Sequence, residues 1–275
     1  MTNKAEVLNP VALTGLLVAA MRADESTRSD RLFEDPFAAA LAGERGKEVL
    51  ATYRAAVGPS IPIIEVRTRF YDEGLERAVH DGIRQVVLVA AGADARAYRL
   101  RWPAGTRVFE LDQPAVLAYK AAVLASSEPI CERVPVEVDL SRDFSEALRG
   151  AGFDPNLRTA WTVEGLLQYL EESTVKELFE RIDALSAPGS VVLYDAVGRA
   201  ALRAPQLENT LSMMKELGAP WVFGSDEPGS LLPRWNVKAF DPGDIGRPLG
   251  RWPIPAPPPN TPARPLGYLL EARKA

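Results

Sequence analysis

Gln85-Val86-Val87-Leu88-Val89-Ala90-Ala91-Gly92-Ala93-Asp94-Ala95-Arg96 is the stretch on which the fold turns. Its first half is an almost unbroken apolar run, the pattern of a strand covered on both faces. Gly92 then permits a tight turn and lets a ligand come close to the backbone. Working downstream, residues 106–111, 133–138, 159–163 and 190–194 repeat the short apolar pattern. Between them, 114–126, 144–149 and 174–185 read as helices; Thr174 with Glu177 suggests a capping box, and Pro188-Gly189 punctuates the exit. Strand alternating with helix predicts an α/β fold with a mostly parallel sheet and right-handed crossovers.

Upstream, residues 1–80 read as helices and loops, and a helical cap or substrate lid over a core of 81–275 is the expected organisation. The apolar stretch 11–20 predicts an amphipathic or buried helix, and Asp35-Pro36 is a helix-start signal. Ile61, Ile64, Thr68, Tyr71 or Leu75, and Val79 recur at helical spacing, on a helix that carries Arg67 and Arg69 and is announced by Pro59 and Pro62. After Tyr194, a helix over 205–217 and strands near 237–240 and 266–272 are expected, separated by a proline-rich loop at 251–265.

The balance of 47% hydrophobic and 25% charged residues in 275 suits one sizeable domain, or one with a modest lid, and a buried core. A net charge of −5 with no long basic run argues against a nucleic-acid partner. Cys131 is the lone cysteine, which excludes an internal disulfide and fits a reducing, cytoplasmic setting. Residues 11–20 are too short a run to span a bilayer, so no membrane partner is expected. No metal centre is expected, and the oligomeric state is left open.

In an open parallel sheet, ligands bind beyond the carboxyl ends of the strands. The first strand here ends at Gly92, the second at Glu110-Leu111-Asp112, the third at Asp139-Leu140 and the fourth at Glu164-Gly165. Asp112 follows Gly92 by about twenty residues, the usual interval to an acid that holds a ribose hydroxyl. Such a lining suits a neutral or cationic adenosine ligand and repels a polyphosphate. A nicotinamide dinucleotide would need three glycines spaced G-x-G-x-x-G to seat its pyrophosphate, and residues 90–95 have one, with Asp94 in the way.

Further motifs run along most of the chain: Arg22-Ala23-Asp24-Glu25-Ser26, Leu32-Phe33-Glu34-Asp35-Pro36-Phe37, Arg67-Thr68-Arg69-Phe70-Tyr71-Asp72, Phe109-Glu110-Leu111-Asp112-Gln113-Pro114, and Val163-Glu164-Gly165-Leu166-Leu167-Gln168-Tyr169-Leu170. With these the chain resembles the leucine carboxyl methyltransferase family, in particular its bacterial small-molecule branch. The resemblance implies a class I, Rossmann-like methyltransferase sheet that takes S-adenosyl-L-methionine and leaves S-adenosyl-L-homocysteine. It also implies roles: Arg67 on the donor's carboxylate, Gly92 under the donor, Asp112 (with Glu110 as a lesser candidate) on the ribose, Asp139 and Leu140 beside adenine, and Glu164 at the amino group. One departure is Ala90-Ala91-Gly92, where the family often has Gly-Ala-Gly; slightly tighter packing is expected, with the turn retained.

A carboxylate acceptor, ionised at neutral pH, needs no base, whereas a phenol does. The single histidine, His80, precedes the first strand, at the end away from the ligand edge. A methyl ester of a small acid is therefore the expected product. The alternatives are a hydroxyl O-methyltransferase of natural-product biosynthesis, a methyltransferase of protein C-termini, and a non-catalytic donor-binding protein. Tyr169, Arg22 and Tyr98 are candidates to orient the acceptor.

Overall fold

The computed structural model describes residues 8–58, 61–256 and 266–275. Pro59 and the triple proline 257–259 of the expected loop lie outside these residues. Helices α1 (Pro10–Ser26), α2 (Ala38–Val57) and α3 (Ile63–His80) precede the first strand, β1 (Gln85–Val89). Then follow α4 (Arg96–Arg99), β2 (Arg107–Asp112), α5 (Pro114–Val123), β3 (Glu132–Glu137), α6 (Ser145–Gly150), β4 (Thr159–Val163), α7 (Glu172–Ala184) and β5 (Val191–Val197). The chain closes with α8 (Glu208–Glu216), β6 (Trp235–Phe240), α9 (Pro242–Gly246) and β7 (Gly267–Lys274).

The sheet runs β3-β2-β1-β4-β5-β7-β6. Its first five strands are parallel, and β7 enters antiparallel between β5 and β6. Strand order reverses between β1 and β4, which opens a crevice beyond their carboxyl ends. The central strands β1 and β4 are buried throughout, as their apolar runs require. Pro135, which cannot donate to a ladder, sits in the edge strand β3.

Alternation along β1 divides the core. Val86 and Leu88 face a layer built with α1, α2 and α3, while Val87 and Val89 face α6 and α7. The N-terminal helices thus share a hydrophobic core with the sheet. Gly74 brings α3 down onto β5: a Cβ there would stand 2.5 Å from a Leu193 methyl. Two local expectations change. α7 begins at Glu172, ahead of Thr174, and no side chain caps it, so the Thr174–Glu177 box does not form. Asp35 accepts from the Phe37 N–H at 3.1 Å and so shapes the turn before α2, which itself starts at Ala38.

Candidate functional site

The crevice is built from the turns that follow β1, β2 and β4, roofed by α1 and α3. After β1 the chain turns through Ala90 (φ 55°) and Gly92 (φ 46°), both left-handed. The glycine expected at position 90 by family pattern is replaced by an alanine that keeps the glycine-like conformation. The alanine packs against the second core and carries backbone strain of about 1 kcal/mol. The Gly92 N–H donates to Asp112 Oδ2 at 2.7 Å, and the Gln113 N–H donates to Oδ1 at 2.7 Å. Both oxygens of Asp112 are thereby fixed at the rim, each with a lone pair left for a ligand. Burial raises the Asp112 carboxyl, and the two backbone N–H groups oppose that rise.

Glu164, at the end of β4, is the hub of the site. Its Oε1 accepts from Arg22 at 2.7 Å and from Arg67 Nε at 3.2 Å, and its Oε2 accepts from Arg96 at 2.7 Å. Burial works against the charge, but the guanidiniums of Arg96, Arg22 and Arg67 outweigh it and hold this carboxyl far below the usual range. Arg22 also donates to Thr68 Oγ1 at 3.2 Å, which ties α1 to α3. Gly165 (φ 63°) lets the chain pass beneath Arg67, since a Cβ there would lie 3.0 Å from the guanidinium.

Behind the hub, Arg67 Nη1 reaches Asp195 Oδ2 on β5 at 3.4 Å. Asp195 Oδ1 accepts from the Gly165 N–H at 2.7 Å and meets the Tyr71 hydroxyl at 2.9 Å; that hydroxyl also lies 2.8 Å from the Val163 carbonyl. Burial raises the Asp195 carboxyl. Arg96, fully buried, is further held by Asp94 and by Asp72 at 2.7 Å, and Arg99 clasps Asp72 at 2.7 and 2.8 Å. Asp195, Tyr71, Arg96, Asp94 and Asp72 were not picked out as site residues from sequence. Tyr71 had a usable signal, because it lies four residues after Arg67 and so on the same helix face.

The remaining expected site residues separate. Asp139 is exposed beyond β3, where hydrogen bonds from the Ser141 hydroxyl (2.6 Å) and N–H (3.0 Å) lower its carboxyl. Leu140 packs at the edge of the second core. Asp139 also lines an open cleft of about 530 Å³ with Gln113, Pro114, Glu137 and Val138, next to Asp112. Tyr169 is half-buried on the single turn Leu167–Tyr169 after Glu164, near enough to Arg67 to favour its charge. The neighbouring Gln168 donates to the Gly165 carbonyl at 3.1 Å, and its buried Oε1 has no partner among the described residues.

Two candidates are corrected. Strand alternation turns Glu110 into the first core layer, at 0% exposure, against Lys120 (2.9 Å) and Arg133 (2.7 Å), so it does not reach the rim. Tyr98 is a packing residue: its ring lies 5.6 Å from that of Phe37 and 5.7 Å from the Arg133 guanidinium. His80 is exposed in the last turn of α3. Burial pushes the Cys131 thiol up to about 12, which removes its nucleophilic form at neutral pH. Among the described residues, no helix is long and apolar enough to cross a membrane.

The sequence model of leucine carboxyl methyltransferase matches residues 15–183. A Rhodococcus jostii (strain RHA1) protein provisionally named an S-adenosyl-L-methionine-dependent methyltransferase is 47% identical over 197 residues, 69% of this chain and 67% of that protein. A similarly named Mycobacterium marinum protein is 39% identical over 247 residues, covering 83% and 78%. The fold is like that of a DUF574 family protein from Streptomyces avermitilis, with a TM-score of 0.63 at 13% identity over 95% of this chain and 97% of that one. The match to residues 15–183 takes in the Arg22, Arg67, Gly92, Asp112 and Glu164 positions together. The chain belongs to the leucine carboxyl methyltransferase family of S-adenosyl-L-methionine-dependent methyltransferases.

Proposed function

We propose that the protein transfers the donor's methyl group to a carboxylate of a small metabolite, giving a methyl ester. The convergence of Arg22 and Arg67 on Glu164, while Arg96, the third guanidinium there, is already matched by Asp72 and Asp94, supports the donor site; the exposed place of His80 in the last turn of α3 carries the choice of an acceptor that needs no base. Arg22 and Arg67 keep 7% and 10% side-chain exposure at the rim, so their remaining N–H donors suit the carboxylate of the donor's methionine part. Asp112, with both oxygens pre-oriented, suits a vicinal diol. Gln168 Oε1, four residues after Glu164 and without a partner among the described residues, suits the hydrogens of an ammonium group. Asp139 and Leu140 then border the adenine end.

The donor supplies an electrophilic methyl on a sulfonium, so this chain's residues need only bind, align and exclude water. Alignment of a bound nucleophile lowers such a barrier by roughly 7 kcal/mol or more in favourable cases. A carboxylate arrives ionised, and His80, the only histidine, stands on the last turn of α3, away from the strands' carboxyl ends. Tyr169, half-buried and close to Arg67, is the residue this reading assigns to orienting the acceptor.

Incubation with methyl-labelled S-adenosylmethionine and paired acid and phenol acceptors tests this reading. Label released by mild base marks an ester. Base-stable label marks a hydroxyl acceptor and overturns the carboxylate reading; donor binding without turnover on any acceptor favours a non-catalytic role.

A further inference from the structure

Three oxygens, Val163 O, Tyr71 Oη and Asp195 Oδ1, form two contacts of 2.8 and 2.9 Å. Each contact is a hydrogen bond only if a proton lies in it, and a tyrosine hydroxyl has one. With Asp195 ionised, one contact would be a bare approach of two lone pairs inside the protein. A second proton on Asp195 Oδ1 satisfies both: Tyr71 donates to the Val163 carbonyl, and the Asp195 carboxyl donates to Tyr71 Oη. Oδ1 still accepts the Gly165 N–H at 2.7 Å.

Charge in the surrounding cluster agrees. Arg22, Arg67, Arg96 and Arg99 face Glu164, Asp72, Asp94, Asp195 and Asp35, four cations against five carboxyls. One proton makes this assembly neutral. The groups that face Asp195 are Arg67 and Tyr71 from α3, Glu164 and the Gly165 N–H from the end of β4, and, through Arg67, Tyr169. Its cross-strand partner on β7 is the uncharged Leu269. At 8% exposure Asp195 can still exchange a proton with water.

We propose that Asp195 holds this second proton before the donor binds and releases it when the sulfonium enters, so that the site distinguishes the charged donor from the uncharged thioether product by proton release. The inference rests on the donor-site reading above. Donor and product carry the same carboxylate and ammonium, so their difference isolates the sulfonium charge. On binding donor, the Asp195 O–H bond breaks and the proton passes to solvent, while the Tyr71 hydroxyl turns its own proton from the Val163 carbonyl to Asp195 Oδ1. After methyl transfer the sulfur is neutral, and Asp195 takes a proton back from solvent. Donor affinity relative to product affinity then rises with pH, by up to about tenfold per unit while Asp195 titrates. Product is favoured less as the pH rises.

Calorimetry of S-adenosylmethionine and S-adenosylhomocysteine binding to the full chain, in buffers of different ionisation enthalpy, counts the protons directly. The expected result is an excess proton release with the donor, approaching one, that vanishes in Asp195→Asn. Tyr71→Phe, which removes the hydroxyl that calls for the second proton, should lower the excess, and it serves if Asp195→Asn does not fold. Equal proton counts for the two ligands overturn the inference and leave the donor site standing. So does an excess that survives Asp195→Asn, which would move the proton to Asp35 or another acid, or one unchanged in Tyr71→Phe. No heat with either ligand defeats the donor-site reading and this inference together.

Discussion

Two buried glutamates, each at the centre of a group of cations, behave differently in this fold. Glu110 lies mid-strand on β2, closed over by Lys120 and Arg133, and both it and Lys120 have no exposure. Glu164 lies one residue past the end of β4, and the side chains of Arg22, Arg67 and Glu164 each retain 7–10% exposure. The chemistry of the two groups is nearly the same; position along the strand separates them. A carboxylate inside the ladder can only serve the fold, whereas one at the carboxyl edge faces the ligand crevice while holding its cations in place.

Breaking the sealed group should give the larger effect on stability. Lys120→Ala leaves Glu110 half-compensated in the core and is expected to cost about 3–5 kcal/mol in urea unfolding. Donor affinity of the folded fraction should change far less than stability, because neither residue reaches the rim and Lys120 acts on Asp112 only through its charge. Arg67→Ala should reverse the pattern. Glu164 retains Arg22 and Arg96, so the stability loss is smaller, while a charge-assisted contact to the donor carboxylate worth about 2 kcal/mol disappears. That corresponds to donor binding weaker by about thirtyfold in calorimetry. Unchanged donor affinity would remove Arg67 from the site.

The contrast between the two glutamates was only partly legible in the sequence. Apolar runs and turn residues marked the seven strands to within a few residues, because central parallel strands must be apolar on both faces. Gly92, Asp112 and Glu164 were legible because a strand-end rule places them. Glu110 was misplaced because its sequence neighbour Asp112 shares the same face, and only the strand's length decides which of the two clears the sheet edge. Tyr98 was misplaced for a similar reason: it follows the first turn in sequence, but α4 turns it toward Phe37. Arg96, Asp72 and Asp195 could not be foreseen, because their pairing joins α3, the first turn and β5 across the fold. Burial of an arginine as deep as Arg96 is uncommon without such partners. Position alone carried the signal for rim residues; for the supporting network, only tertiary contact did.

The pH dependence of stability sharpens the comparison next. Glu164 has its folded-state carboxyl held far below its ordinary value by three guanidiniums. Its contribution is therefore full above about pH 4.3 and is lost as pH falls below that point. Urea midpoints measured on descending through this range should fall more steeply for the wild type than for Glu164→Gln. Parallel slopes would mean that another carboxyl dominates acid unfolding.

The smallest effect concerns the two left-handed turns that flank the crevice. After β4 the position is filled by Gly165, and after β1 by Ala90. Gly165→Ala adds left-handed strain of about 1 kcal/mol and pushes a methyl to 3.0 Å from Arg67, so both stability and donor affinity should fall. Ala90→Gly is the opposite change. It removes a similar strain, but the added freedom of glycine in the unfolded chain takes back about half of the gain. A net stabilisation of about 0.5 kcal/mol is expected, a rise of roughly 1–2 °C in Tm for a chain of this size. A fall in Tm would show that the Ala90 methyl contributes packing worth more than the strain it imposes, and that the first turn gains from the alanine.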